Sequence, residues 1–262
     1  MKITKILVFL LLFGTTSYGQ KSIDFDGIND VVTTTSAGIT GIGNRTVELW
    51  LNTTQIQSTQ QVLVDMGNMA TGGRFTFNIR RNGNLRIEIG GNGFDGTANI
   101  ADGKWHHVAV TYDHRANPKA KIYVDGIVDV SGNFSVSTNT QSSPILLGRR
   151  NDNINYYKGA MDEVRIWSSA LAPSSLRDWM CKEINSNHIN FSTLHAYYKL
   201  DTLGGTVVRD YSGNGRTGTR SGATWKDNGG PVGTESAQKY GTGLSAFLKH
   251  SDGDSVKVKV IG

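Results

Sequence analysis

The chain is built from short runs in which apolar and polar residues alternate, each closed off by glycine, asparagine or aspartate. Residues 22–26, 31–35, 46–53, 61–66, 74–80, 85–89, 105–112, 119–124, 127–130, 145–147, 160–167 and 195–200 all read this way. A repeat of two residues is the repeat of a β-strand, and a chain of such runs has few folds open to it. Arg81-Asn82-Gly83-Asn84 and Asp125-Gly126 are hairpin turns, because those residues accept the left-handed backbone that such turns require. The 32 glycines and 4 prolines fit many tight turns between antiparallel strands. One stretch breaks the pattern. From Pro173 to about Ile184, a proline stands in the first turn and Leu176, Trp179 and Met180 form one apolar side, which predicts a helix. The expected fold is all-β: a two-sheet antiparallel jellyroll sandwich with one short helix near 173–184.

The ends differ from the middle. Lys2 and Lys5, the apolar residues 6–13 and the exit Ser17-Tyr18-Gly19 have the form of an export signal over residues 1–19. Its apolar stretch is shorter than the ~20 residues a membrane span needs. The expectation is an exported protein, extracellular or at the cell surface, with no membrane insertion. Residues 20–230 carry the strand pattern. Pro231-Val232-Gly233-Thr234-Glu235-Ser236 reads as a linker, and 244–248 and 255–261 read as two strands joined at Asp252-Gly253-Asp254. Two strands alone do not make a stable unit. Residues 231–262 are therefore expected to open a second β module, as part of a longer multi-domain surface protein.

The formal net charge of +5 is ordinary for 262 residues, and the basic residues are scattered rather than striped. Arg80-Arg81 and Arg149-Arg150 are the densest spots. That distribution argues against a nucleic-acid partner. Cys181 is the single cysteine, so no internal disulfide forms, and its setting suits a small buried hydrophobe. Stability then has to come from the core. Val47, Leu49 and Leu51 alternate with Glu48, Trp50 and Asn52, so this strand carries bulk on both faces and belongs at the centre of a sheet. Trp50, Trp105 and Trp167 read as packing residues.

Two acidic strands lie far apart in sequence: Ser22-Ile23-Asp24-Phe25-Asp26-Gly27-Ile28-Asn29-Asp30 and Gly159-Ala160-Met161-Asp162-Glu163-Val164-Arg165-Ile166-Trp167. Side by side, they would crowd Asp26, Asp30 and Asp162 into negative charge that a hard, oxygen-seeking cation neutralises. Between them stand Thr46-Val47-Glu48-Leu49-Trp50, Trp105-His106-His107-Val108-Ala109-Val110-Thr111-Tyr112-Asp113 and Ile122-Tyr123-Val124-Asp125-Gly126. Ala196-Tyr197-Tyr198-Lys199-Leu200-Asp201 and Asp210-Tyr211-Ser212-Gly213-Asn214-Gly215 follow. In this order the blocks, spanning residues 22–225, resemble the laminin-G-like family of the concanavalin A-like lectin/glucanase superfamily. The resemblance implies a structural calcium site where the N-terminal and Asp-Glu-Val strands meet. Asp26 and Asp162 stand at matching positions, and Asp30 matches less closely. The residues also fit a second reading, in which Asp24, Asp26 and Asp30 cap a surface turn while Asp162 pairs with Arg165 or a backbone amide.

Other constellations point away from chemistry. His106 and His107 are neighbours on a strand, so they face opposite ways and cannot share one ion; His107 is expected to be structural. Gly213-Asn214-Gly215-Arg216-Thr217-Gly218 fits the spacing of a dinucleotide loop, but no helix starts there and no acid follows at the required distance. The glucanase pattern Glu-x-Asp-x-x-Glu is absent, and by alternation the side chains of Asp162 and Glu163 diverge. An exported sandwich without a catalytic constellation predicts a binding or adhesion module for a glycan or an extracellular protein. Its contacts would come from loops at 66–73, 90–96 and 148–158. Asn92, Arg149, Arg150, Asp152 and Asn153 would bond sugar hydroxyls, with Tyr156, or Tyr157 if it is not core, stacking on a ring. A glycoside hydrolase or lyase of the same class, and a structural spacer, are the alternatives.

Overall fold

The structure, a computed structural model, describes residues 20–54, 59–202 and 204–233. The expected export signal and the expected strands at 244–248 and 255–261 lie outside the described residues. The strands are β1 (Ser22–Asp26), β2 (Val31–Ala37), β3 (Arg45–Asn52), β4 (Gln61–Gly67), β5 (Arg74–Ile79), β6 (Asn84–Glu88), β7 (Gly93–Asn99) and β8 (Trp105–Tyr112). After them come β9 (Ala120–Val124), β10 (Ile127–Gly132), β11 (Pro144–Leu147), β12 (Lys158–Trp167), the helix α1 (Pro173–Trp179), β13 (Leu194–Tyr198), β14 (Val207–Val208), β15 (Gly218–Ser221) and β16 (Thr224–Lys226). They form two sheets. The first runs β10-β9-β8-β3-β12-β1-β16, with β13 also paired to β12; the second runs β14-β15-β2-β11-β4-β5-β6-β7. The chain passes repeatedly from one sheet to the other, as in a jellyroll, and the expected all-β sandwich with one short helix is what forms.

Alternation explains why the sheets stack. Phe25, Val32, Leu49, Phe75, Phe77, Ile87, Val110, Ile145, Leu147 and Met161 point inward and are buried in one cluster between the layers. Each such side chain contributes about 1.5–3 kcal/mol on leaving water. The first sheet also buries its outward face. Trp167, Leu171, Leu176, Ile184 and Tyr197 pack there, and Trp50, Met180, Cys181 and Val232 form a second outer cluster. The covering segments are residues 168–193, including α1, and residues 227–233. Packing therefore continues to Val232, past residue 230. Trp50 and Trp167 are buried as expected, and Trp105 is half-buried.

Local departures have local causes. The helix stops at Trp179 rather than near Ile184 because the sheet beneath takes its terminal carbonyls. Trp50 Nε1 donates to Met180 O at 2.7 Å, and Arg165 donates to Trp179 O at 3.1 Å and to Lys182 O at 2.7 Å. Strand β7, Gly-Phe-Asp-Gly-Thr-Ala-Asn, carries too few β-branched residues to announce itself. The glycine-rich stretch 213–218 is a turn built around Asp210. Its carboxylate accepts the amides of Tyr197, Ser212 and Arg216 at 3.0, 2.9 and 2.8 Å.

Candidate functional site

Strands β1 and β12 are neighbours, with Ile23 opposite Met161 and Asp26 opposite Lys158. The pairing separates the expected carboxylates instead of gathering them. Asp162 lies four residues along β12 from the partner of Asp26, about 13 Å at the rise of a strand. Asp26 and Asp30 do meet. Asp30 Oδ2 accepts the Asp26 amide at 2.7 Å, and Asp26 Oδ1 accepts the Ile28 amide at 2.7 Å. Burial holds the Asp30 carboxyl above its ordinary range, helped by the charges of Asp26 and Asp24 and opposed by the Asp26 amide. Asp162 is fully buried, and its two oxygens accept the amides of Gly230 and Glu163, each at 2.8 Å. Calcium wants six to eight oxygens around one point. Among the described residues no three His, Cys, Asp or Glu side chains meet closely enough to hold an ion. The set Asp26, Asp30 and Asp162 does not assemble; the geometry is that of a carboxylate-capped turn plus a separate buried acid.

A bulge in β12 governs that buried acid. Asp162 stands opposite Trp50 and Arg165 opposite Glu48, so three steps of β12 match two of β3, and Glu163 takes a left-handed φ of 52°. Asp162 and Glu163 therefore both reach the outward face, where simple alternation had them diverge. Arg165 donates to Glu163 Oε2 at 2.5 Å, and the Tyr197 hydroxyl donates to the same oxygen at 2.6 Å. Glu48 accepts Trp167 Nε1 at 2.8 Å and lies 3.0 Å from His107 Nε2, the structural role expected of that histidine. Burial, then the charges of Glu163 and Asp201, drives Asp162 well above the carboxylate range. Burial pushes Glu48 the same way, but His107, Arg165 and Trp167 outweigh it and hold its pKa below the ordinary value. Glu48, Asp162 and Glu163 are all closed off from solvent. This cluster is structural.

The outward face of the second sheet is different. Asp65 on β4, Arg74, Thr76 and Asn78 on β5, Arg86 and Glu88 on β6 and Asp95 on β7 alternate with core residues and point away from the sandwich. Arg74 is paired with Glu88, Arg86 with Asp95 at 2.6 Å, and Arg80 with Asp95 at 3.3 Å. Asp65 accepts the Thr76 hydroxyl at 2.5 Å and the Asn151 amide at 3.0 Å. Burial outweighs these bonds and the Arg74 charge, and pushes its pKa up to about 6. Both amide atoms of Asn78, Arg149 Nη1 and Asn151 Oδ1 are buried without a hydrogen-bond partner among the described residues. Such groups are rare in folded proteins and mark places where a further polar partner fits.

The loop between β11 and β12 borders this face. The amide of Tyr157 donates to Gly148 O at 2.7 Å and that of Val62 to Asn155 O at 2.8 Å, so the loop closes on itself and on β4. Arg150 and Asp152 form a fork at 2.9 and 2.7 Å. The Asp152 hydrogen bond, aided by the charges of Asp152, Glu88 and Asp65, outweighs burial and raises the Arg150 pKa. Asn153 is a turn residue with φ 63°, and Tyr156 is half-buried. Asn92 serves elsewhere: its side chain accepts the Ser135 amide at 2.8 Å and fastens the β6–β7 turn. A cavity of about 590 Å³ opens beside the loop, lined by Arg80, Arg81, Asn82, Glu88, Asp95 and Asn155. Of these, Asn155 falls within the expected contact loop 148–158 and Arg80-Arg81 is one of the dense basic spots, while the expected ligand residues Asn92, Arg149, Arg150, Asp152, Asn153 and Tyr156 do not line the cavity.

Residues 26–177 match the laminin-G model described as the concanavalin A-like lectin/glucanases superfamily. Among solved structures, the chain is similar to a candidate carbohydrate binding protein from Bacteroides ovatus ATCC 8483, at 25% identity and a TM-score of 0.65 over 82% of this chain. It spans 62% of that protein's length. It is also similar to the native heptameric SAP-like pentraxin from Limulus polyphemus, at 12% identity and a TM-score of 0.57, covering 83% of this chain and 99% of that one. The second likeness shows the fold alone. No curated protein matches the sequence. No helix among the described residues is long and apolar enough to cross a membrane.

Proposed function

Because this chain belongs to the laminin-G-like family of the concanavalin A-like lectin/glucanases superfamily, we propose that it is an exported, non-catalytic module that binds a glycan on the outward face of its second sheet. The observation that carries this reading is the 590 Å³ cavity beside the 148–157 loop, where guanidinium, carboxylate and amide groups converge on an open face. Its size suits one or two sugar rings. Fixed donors and acceptors set by strand register are what recognition of sugar hydroxyls needs. The candidate carbohydrate binding protein from Bacteroides ovatus supports the same ligand class. The export pattern of residues 1–19 supports a location where such ligands occur.

Catalysis is disfavoured by the partners of the acids. Glu88 is paired with Arg74 and Arg86, and Asp95 with Arg80 and Arg86. Glycoside cleavage needs two carboxyl groups free to face the scissile bond, whereas both carboxylates at this cavity are already bound to arginines. A glycan array with the purified chain tests the reading. Binding to at least one glycan class is expected, weakened about tenfold or more when Arg80→Ala and Asn155→Ala are combined. An array without any binding would remove the glycan reading and leave an extracellular protein as the partner. Polysaccharide cleavage abolished by Glu88→Gln would establish the hydrolase alternative.

A further inference from the structure

The first sheet has a cavity of its own at the end of its outward face that the covering segments leave open. Register fixes a row of side chains there: Trp105 opposite Asn52, Asn52 opposite Ala160, Ala160 opposite Asp24. Adjacent strands lie about 4.8 Å apart, so Asn52 and Asp24 stand about 10 Å from each other across a single methyl group. The next residue towards the start of β12 is Gly159, with φ 139°. A Cβ at Gly159 would sit 2.4 Å from Asn52 O and 2.7 Å from Tyr157 Oη, so packing enforces the glycine. On the outward face the small side chain of Ala160 leaves a notch, with the Gly159 backbone beside it. The cavity is about 610 Å³, and Thr54, Lys158, Lys226 and Asn228 extend its walls.

The charges around it cancel. Asp24 and Asp26 face Lys158 and Lys226, with Lys226 Nζ 3.7 Å from Asp24. An anion would meet two carboxylates and a cation two ammonium groups. An uncharged ring bearing several hydroxyls can donate to Asp24 and Asn52 while accepting from the lysines and Asn228. Trp105, half-buried one strand beyond Asn52, holds the wall residue Asn228 by donating Nε1 to its Oδ1 at 3.4 Å, which leaves the Asn228 amide nitrogen free to donate. We infer that this notch is a second ligand site, for a neutral sugar, on the side of the sandwich opposite the 590 Å³ cavity. Two sites facing away from each other would let one module bridge two glycan chains, with the gain in avidity that bridging brings.

The test is a ¹H–¹⁵N correlation titration of the full chain with cellobiose, lactose and mannobiose at millimolar concentration. At least one sugar is expected to shift the amides of Gly159 and Ala160 and the side-chain amide of Asn52. Ala160→Phe fills the notch from an outward, half-exposed position and should weaken that binding about tenfold or more. If circular dichroism shows that this variant does not fold, Asp24→Ala combined with Asn52→Ala takes its place. Arg80→Ala should leave the shifts intact. No shift at these amides with any of the three sugars, or the same affinity in the notch variants, overturns the inference. Loss of the shifts in Arg80→Ala overturns it as well, since one site would then explain both. Failure of the second-sheet reading would show separately, as unmoved resonances around Arg80 and Asn155.

Discussion

The outward faces of the two sheets start from the same alternation of charged and apolar residues and reach opposite ends. On the first sheet Glu48, His107, Asp162, Glu163 and Arg165 lie sealed under α1 and the segment 227–233, among Trp50, Trp167 and Tyr197. On the second sheet Arg80, Arg86, Glu88 and Asp95 stay within reach of solvent beside an open cavity. Covering a charged face makes each ionised group depend on its neighbours for solvation. Where the second face stays open, along β6 and β7, the groups remain exchangeable, so that a ligand can take the place of water. Similar side chains thus hold the fold together on one side and are available for recognition on the other.

The widest contrast comes from cutting one ion pair on each face. Glu48→Ala leaves His107 and the Trp167 indole without their shared acceptor, and removes the carboxylate 3.9 Å from Arg165, in a site closed to water. The expected loss is about 3–5 kcal/mol of unfolding free energy. Arg80→Ala cuts a pair whose side chains are 41% and 38% exposed, and the expected loss stays under about 1 kcal/mol. Urea denaturation of both variants beside the parent reads the difference. Equal losses would mean that the covering segments do not seal the first face.

The architecture was legible in the sequence because alternation is a strong local signal. Ile23 and Phe25, Phe75 and Phe77, and Leu85 and Ile87 all fall on the predicted inner side. What escaped was decided by contacts distant along the chain. The bulge at Glu163 exists because Arg165 and Tyr197 hold the glutamate on the outward face, and neither partner's position can be read locally. Asp162 matched a family position, yet the β1–β12 register places it about 13 Å along β12 from the residue opposite Asp26. In the 148–157 loop, Arg149, Arg150, Asp152, Asn153 and Tyr156 were visible as polar and aromatic rim residues. That Arg80, Glu88 and Asp95 share one cavity was not, since only the pairing of β5, β6 and β7 brings them together.

A middle-sized effect sharpens the boundary between the faces. Asp65 lies on the bare sheet but is itself covered, and its folded pKa of about 6 exceeds the unfolded value. A raised carboxyl pKa means that the fold prefers the proton. Below about pH 4 both states are protonated and Asp65 carries no penalty. Between about pH 4 and 6 the unfolded chain ionises first and stability falls; above pH 6 the full penalty, about 2–3 kcal/mol, is present. Asp65→Asn keeps one oxygen to accept the Asn151 amide, turns an NH2 that can donate to the Thr76 hydroxyl oxygen, and removes the ionisation. It should raise the urea midpoint at pH 7.5 and leave it nearly unchanged at pH 4. A variant that is less stable at pH 7.5 would show that the Arg74 and Arg150 charges fully compensate the burial.

The smallest expected effect concerns calcium. A cage joining Asp26, Asp30 and Asp162 would tie β1 to β12 and stabilise the folded state by mass action, several kcal/mol at concentrations far above the dissociation constant. In the structure Asp26 holds the Ile28 amide, Asp30 holds the Asp26 amide, and Asp162 holds two buried amides far from either. Two adjacent carboxylates in a surface turn supply too few oxygens for tight binding. Scanning calorimetry in millimolar calcium and in excess chelator should therefore give thermal midpoints within about 2 °C of each other. Asp26→Asn, which preserves the acceptor for Ile28 and relieves repulsion on Asp30, should leave both scans in place. A chelator-induced drop of about 5 °C or more, abolished by Asp26→Asn, would mean that calcium draws the turn into a geometry other than this one. It would also put the bare end of the first sheet, where the notch beside Asp24 opens, under metal control.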